Sequence, residues 1–351
     1  MHTHLKPLAE QSIVITGASS GIGLVTAKRA ARRGARVTLI ARNRVDLDRA
    51  VDDIRRDGGR AIACGADVTD RDQLEAAADA AVSEFGGIDT WVNNAGVSIY
   101  GRLVDVPIDE MRQQFEVVFW GQVHGSLAAV KRMRSGGGAL INVASAVADR
   151  AIPLQAAYSA AKHAVKGFTD ALRMELERDG IPISISLIKP SSTDTPLFQK
   201  ARVHFGVEPQ PIPPVYSAAV VADAILRAAE HPIRDLTVGA MGKVMGVAGD
   251  VAPRLTDRYM ERSTFDSQKT DVPIGDRPDN LFAPVQSDGG ERGHYRGHVM
   301  KSSAYTASAL HPAAAALAGL GLGAVLVGGL RLLQAHRDGR VAAEVNTDRG
   351  D

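Results

Sequence analysis

Tyr158 and Lys162 stand four residues apart in the run Tyr158-Ser159-Ala160-Ala161-Lys162. At that spacing two side chains share one face of a helix. An ammonium beside a phenol stabilises the phenolate and draws the phenol pKa down from about 10 toward working pH. Tyr158 then becomes a usable general acid/base. Thirteen residues earlier, Ser145 closes the run Asn142-Val143-Ala144-Ser145. Its hydroxyl can hydrogen-bond a substrate oxygen. A Tyr and a Lys at this spacing are common by chance, so their weight comes from their order relative to a glycine-rich turn.

That turn is Thr16-Gly17-Ala18-Ser19-Ser20-Gly21-Ile22-Gly23. It follows an apolar run and opens a helical pattern. Glycines allow a tight turn and let the backbone approach a pyrophosphate, to which the next helix presents free N–H groups. Gly17, Ser19, Ser20, Gly21, Ile22 and Gly23 are therefore candidate cofactor contacts. No Gly-Lys-Ser/Thr follows, so a Walker-type phosphate loop is excluded. The next strand ends in Ala41-Arg42-Asn43, with no acidic residue to hold a ribose 2′-hydroxyl. An arginine there suits a 2′-phosphate, which selects NADP with Arg42 as its partner. Asp67 and Val68 end the third strand and are placed against adenine. Asn94, Ala95 and Gly96 end the fourth, where small residues let the backbone pass close to the cofactor.

These residues need a scaffold that brings strand ends together. Strand candidates are Ser12–Thr16, Arg36–Ala41, Ala61–Cys64, Thr90–Asn93, Ala139–Val143, Ile183–Ile188 and Leu236–Val238. Helical patterns at Val45–Arg56, Arg71–Phe85, Met111–Lys131, Tyr158–Glu177 and Ala218–Ala229 alternate with them. Such alternation predicts an α/β, Rossmann-like doubly wound parallel sheet of about seven strands with helices on both faces.

In combination the motifs resemble the short-chain dehydrogenase/reductase family, in its single-domain branch, from Leu8 to Gly239. Three residues separate Gly17 and Gly21, the spacing of that branch. An isomerase of the extended branch, which usually has two, is disfavoured. The resemblance implies NADP-dependent hydride transfer between a nicotinamide and a carbonyl or secondary alcohol. Tyr158 would pass the proton. Lys162 would hold the nicotinamide ribose hydroxyls and tune Tyr158, and Ser145 would orient the substrate oxygen. It also implies cofactor contacts from Pro190, Thr193 and Thr195, with the two threonines at the carboxamide, and a homodimer or homotetramer.

Two positions depart from the family pattern. Val118 stands where members usually carry an Asn that helps hold a proton-relay water, which implies a reduced relay. Ser191 replaces the usual Gly after Pro190, which leaves the local backbone conformation open. An NADP-binding protein without catalysis, a sensor or scaffold, is the competing reading. Val118 is its mark, and the intact Ser145, Tyr158 and Lys162 argue against it.

A proline-rich segment, Ser191–Pro214, reads as a strand-free loop of lid length. It carries Leu197, Phe198, Val203, Phe205, Val207 and Ile212. Ile99, Tyr100, Val147 and Leu154 join them on the expected substrate side. A bulky apolar small-molecule substrate follows. His163 and Cys64 read as structural, and Phe119 and Trp120 as core or subunit contacts.

The chain divides into a catalytic domain over 8–240, a helical extension over 241–265 broken at Pro253, a polar linker or surface wrap over 266–312, an apolar helix over 313–333 and a polar tail over 334–351. From Ala313 to Leu330 it carries only Ala, Leu, Gly and Val, with Gly319 and Gly323 four apart. As a helix, 18 residues reach about 27 Å, just short of a bilayer core of roughly 30 Å. A membrane anchor and a helix packed on protein both remain open there. The N-terminus has no apolar core, so a cytoplasmic protein is expected, membrane-associated if the anchor reading holds. With 41 basic and 40 acidic residues, the net charge of +1 gives no support for a nucleic-acid partner. A single cysteine excludes an intramolecular disulfide and a cysteine zinc site, and the histidine spacing suggests no metal.

Overall fold

The computed structural model describes residues 4–286 and 289–311. Seven strands form the central sheet: β1 (Ser12–Thr16), β2 (Arg36–Ala41), β3 (Arg60–Gly65), β4 (Thr90–Asn93), β5 (Gly138–Val143), β6 (Ile183–Pro190) and β7 (Asp235–Val238). Their order is β3-β2-β1-β4-β5-β6-β7, and every neighbouring pair is parallel. The Val- and Ile-rich runs behave as strands covered on both faces. Ile13, Ile15, Leu39, Ile40, Leu140, Ile141 and Leu187 are all fully buried. Each such side chain contributes roughly 1.5–3 kcal/mol.

Nine longer helices accompany the strands among the described residues: α1 (Gly21–Arg32), α2 (Arg44–Arg56), α3 (Arg71–Phe85), α4 (Ile108–Phe115), α5 (Gly121–Met133), α6 (Ala156–Arg178), α7 (Ala218–Glu230), α8 (Ala240–Val251) and α9 (Pro253–Ser267). Their ends follow local chemistry. Asn43 caps α2 by accepting from the Asp46 N–H, and Asp70 caps α3 by accepting from Asp72 and Gln73. Gly86 ends α3 in the left-handed region, at φ +81°. One face of α1 packs on α7, with Val25 against Ala218 and Ala222. The chain crosses to one side of β1 to make β2 and β3, then returns to the other side for β4. That reversal opens a crevice at the carboxyl ends of the strands.

Two expectations from the sequence need correction. The single helix over Met111–Lys131 is α4 and α5 joined by a π-helical segment, Glu116–Trp120. An extra residue in a turn leaves no trace in an apolar period, and it sets Val117 and Val118 into the core. The segment Ser191–Pro214 is not strand-free. Thr193–Asp194 pairs with Tyr216–Ser217, Arg202–Val203 with Ile99–Tyr100, and Val207–Pro209 with Lys269–Pro273. Bridges of two or three residues to distant partners are too short to show a period.

Beyond α9 the chain runs back over the molecule. Lys269–Pro273 adds its antiparallel pair, and Val299–Met300 pairs with Val215–Tyr216. The described residues up to Thr306 form one compact unit. Among the described residues no helix is long and apolar enough to cross a membrane. The apolar stretch Ala313–Leu330 lies outside the described residues.

Candidate active site and dinucleotide cleft

A cleft of about 530 Å³ follows the carboxyl edge of the sheet. Every strand end that the motifs singled out faces it.

The glycine-rich turn forms its first wall. Gly17 and Gly21 sit at φ +65° and +55°, where a side chain would be strained. A Cβ on Gly17 would also come 2.7 Å from the Ala95 Cα. Asn94 donates from Nδ2 to the carbonyls of Thr16 and Gly17 at 3.0 and 3.2 Å. The backbone N–H groups of Asn94 and Ala95 donate to Thr16 Oγ1. The ends of β1 and β4 are thereby stitched together, and Gly96 continues the wall. Ser19, Ser20, Gly21 and Ile22 line the cleft. Gly23 does not; a Cβ there would overlap the Gly17 carbonyl oxygen, so its smallness serves helix-to-turn packing.

Arg42 lies at the end of β2 and lines the cleft with Asp67 and Val68. Its guanidinium is 3.6 Å from an Asp67 carboxylate oxygen. It also donates to two backbone carbonyls, Asn280 at 2.5 Å and Phe282 at 3.2 Å. Asp67 is held in turn by the Thr69 N–H and hydroxyl.

At the far end, Ser145 follows β5. Its hydroxyl donates to the Pro190 carbonyl at 3.5 Å and accepts from the Val147 N–H at 3.3 Å. Tyr158 stands in the first turn of α6, partly enclosed by the cleft. Burial pushes its phenol up to about 12, and a hydrogen bond with Ser145 pulls weakly the other way. Lys162 is buried one turn on, and its Nζ donates to the Val143 carbonyl at 2.8 Å. Burial draws its ammonium down to about 7. Its Nζ sits 5.6 Å from the centre of the Tyr158 ring. The sequence expectation of a phenol lowered by its lysine is therefore not met: burial raises it. The ammonium lies over the ring and bonds a carbonyl, and burial is the largest influence on the phenol.

Pro190, Thr193 and Thr195 line the cleft from the end of β6. Ser191, at the usual glycine position, keeps an ordinary backbone conformation. Among the described residues Leu154 is the non-glycine residue with positive φ. Ser191 is fixed by its N–H to the Val238 carbonyl. Val118 is fully buried, and its side chain has no polar atom to offer a water.

Asp149 clamps the loop that carries Ser145. It accepts from Lys166 at 2.6 Å and from Lys189 at 2.7 Å, and Lys189 is almost fully buried. Burial alone would raise its carboxyl; the two lysines outweigh that and hold it below the usual carboxylate range.

The substrate end is walled partly as expected. Tyr100, Val147, Leu197, Phe198 and Ile212 line it. Ile99, Leu154, Val203, Phe205 and Val207 do not line it; Val203 and Phe205 pack in the cluster around Tyr100 and Phe198. Met241 and Met245 of α8 and Tyr259, Met260 and Thr264 of α9 complete the wall. Nothing in their sequence signals this, because the contact depends on how α8 and α9 fold back. His163 bonds the Ser159 carbonyl within its own helix. Cys64 packs partly buried against the main core.

The geometry has known counterparts. The family model described as short chain dehydrogenase matches residues 11–204. The chain belongs to the short-chain dehydrogenase family. It is 42% identical over 321 residues to "Uncharacterized oxidoreductase YxnA" of Bacillus subtilis, covering 90% of each chain. A match of that length runs well past the family-model region into the C-terminal segment. It is 30% identical over 256 residues to "Putative oxidoreductase SadH" of Mycobacterium tuberculosis, covering 71% of this chain and 92% of that one. Among solved structures, a short chain dehydrogenase from Burkholderia cenocepacia in complex with NADP is similar at TM-score 0.59 and 27% identity, over 66% of this chain and 98% of that one. This short-chain dehydrogenase is thus an oxidoreductase acting on CH–OH groups with a nicotinamide cofactor.

Proposed function

We propose that the protein interconverts a carbonyl and a secondary alcohol on a bulky apolar substrate, with NADP(H) as cofactor and Tyr158 as general acid/base. The observation that carries this reading is the convergence of Ser145, Tyr158 and Lys162 on the cleft that the glycine-rich turn opens. That turn fits a dinucleotide: its glycines leave no room for side chains, and α1 begins at its edge.

The bound nicotinamide supplies or accepts the hydride. In the reducing direction the substrate oxygen accepts hydrogen bonds from Ser145 and Tyr158. The Tyr158 phenol, protonated well above neutral pH, hands over its proton as charge grows on that oxygen. The Lys162 ammonium, over the Tyr158 ring, compensates the phenolate left behind. Arg42 and the absence of an acid at the end of β2 support NADP over NAD. Leu197, Phe198, Ile212, Met241, Met245 and Met260 support an apolar substrate. Exposed Trp120 and Met174 favour pairing with a second copy, which light scattering tests.

The test is a fluorescence titration with NADPH and NADH, followed by a panel of apolar ketones and alcohols. Tighter NADPH binding with turnover supports the reading. Binding without turnover across the panel favours the sensor or scaffold alternative. No binding of either nucleotide overturns both.

A further inference from the structure

The C-terminal segment returns to the nucleotide end of the cleft and is fastened there on both flanks. On one flank, Arg277 donates to the carbonyls of Phe198, Gln199 and Ala201. Asp279 pairs with Arg202 at 2.7 Å, and Leu281 is fully buried in the main core. On the other flank, Glu291 pairs with Lys28 at 3.1 Å and Arg292 with Asp194 at 3.3 Å. Asn280, Pro284 and Val285 line the cleft between these anchors.

The contacts between the flanks fall on phosphate-recognising groups. The Asn280 and Phe282 carbonyls accept from Arg42. The Gly290 carbonyl accepts from the Gly21 N–H at 2.9 Å, at the head of α1. The Val285 carbonyl accepts from Asn43 Nδ2 at 2.9 Å. Helix N-termini and arginines are where a dinucleotide's phosphates bind. A guanidinium has five N–H donors, so two carbonyls orient Arg42 and leave it able to hold a phosphate.

We propose that this segment, anchored by residues 277–286 and 289–292, is a strap across the adenosine end of the dinucleotide site. It unfastens to admit the nucleotide and refastens over it, so it sets the rates of cofactor binding and release. The inference rests on the dinucleotide reading of the cleft and adds a wall that the motifs do not include.

A reversible lock tests it. A Cβ on Gly289 would lie 3.2 Å from the Asp46 Cβ, close to disulfide spacing of roughly 3.5–4.5 Å. The full chain carrying Asp46→Cys, Gly289→Cys and Cys64→Ala is compared oxidised and reduced, by stopped-flow NADPH fluorescence. Oxidation before NADPH is added should slow association at least tenfold. Oxidation after loading should slow release at least tenfold, and reduction should restore both. Equal rates in the two states overturn the strap while leaving the dinucleotide reading intact. No NADPH or NADH binding by the unmodified chain overturns that reading, and the strap with it. If the cysteine pair fails to fold or close, Glu291→Ala with Arg292→Ala unfastens the exposed flank instead. Losing these two ion pairs, one of them to the buried Asp194 carboxylate, should speed NADPH release at least about twofold, and an unchanged release rate overturns the strap.

Discussion

Lys162 and Gln122 donate to the same oxygen, the Val143 carbonyl, at 2.8 and 2.9 Å. Gln122 lies on α5, four residues after Val118, and is almost fully buried. Lys162 therefore bonds a neutral carbonyl shared with an amide donor. A buried ammonium in that setting loses more solvation than one dipole returns. This accounts for an ammonium drawn down to about 7.

The shared acceptor predicts an unusual stability profile. The Lys162 pKa is lower in the folded chain than its ordinary 10.5. Between the two values the unfolded chain binds more protons, so this group's contribution to stability rises with pH. The contribution is complete above the ordinary value and is lost as pH falls through about 7. Lys162→Met removes the effect. The melting temperature of Lys162→Met minus that of the unmodified chain should be largest at pH 7 and shrink toward pH 10. The slope is at most about 1.4 kcal/mol per pH unit. A difference that is flat or grows with pH would show that Lys162 is not desolvated as described.

Tyr158→Phe keeps the ring and removes the proton donor. Its turnover should fall roughly 100- to 10,000-fold, with NADPH binding kept within about threefold. Ser145→Ala should also lower kcat, because it removes the hydroxyl that bonds Tyr158 and is proposed to bond the substrate oxygen. Parallel loss of NADPH binding in Tyr158→Phe would assign the phenol a cofactor-holding role instead.

Gly17, Asn94 and Ser145 were legible as candidates because each lies in a short run at the end of an apolar strand pattern. Tyr158, in the first turn of α6, was legible only through its order relative to the glycine-rich turn. The sheet itself was legible from its Val- and Ile-rich runs. Three features were not. The π-helical segment at Val118 changes the helix by one residue per turn, below what periodicity resolves. Met241, Met260 and the segment around Asn280 reach the cleft only through the return of the chain after β7, which composition does not encode. Gly23 belongs to the glycine motif yet serves packing, a distinction that needs the position of the Gly17 carbonyl.

Asp149 offers a test of the clamp on the Ser145 loop. Asp149→Asn leaves Lys189 buried without its counter-charge and should cost about 3 kcal/mol. The carboxyl is held below its usual value. Its contribution is therefore present above the ordinary carboxylate pKa and is lost as pH falls. Denaturant melts at pH 7 and pH 3 should show the gap between Asp149→Asn and the unmodified chain narrowing at pH 3. A gap independent of pH would mean that the two lysines are not held by charge.

On the proposed reading, Arg42 is the residue that separates the two nucleotides. Charged hydrogen bonds contribute about 1.5–3 kcal/mol, so Arg42→Ala should weaken NADPH binding roughly 10- to 100-fold. NADH, which lacks the 2′-phosphate, should change by less than about threefold on the same scale. Arg42→Lys retains charge but loses the fork that reaches both Asn280 and Phe282. It should fall between the two for NADPH and release the nucleotide faster than the unmodified chain. The Asp67 carboxylate 3.6 Å away draws on the same guanidinium. Asp67→Asn should therefore strengthen NADPH binding relative to NADH. Equal losses of both nucleotides in Arg42→Ala would assign Arg42 to the strap alone and remove the basis for an NADP preference.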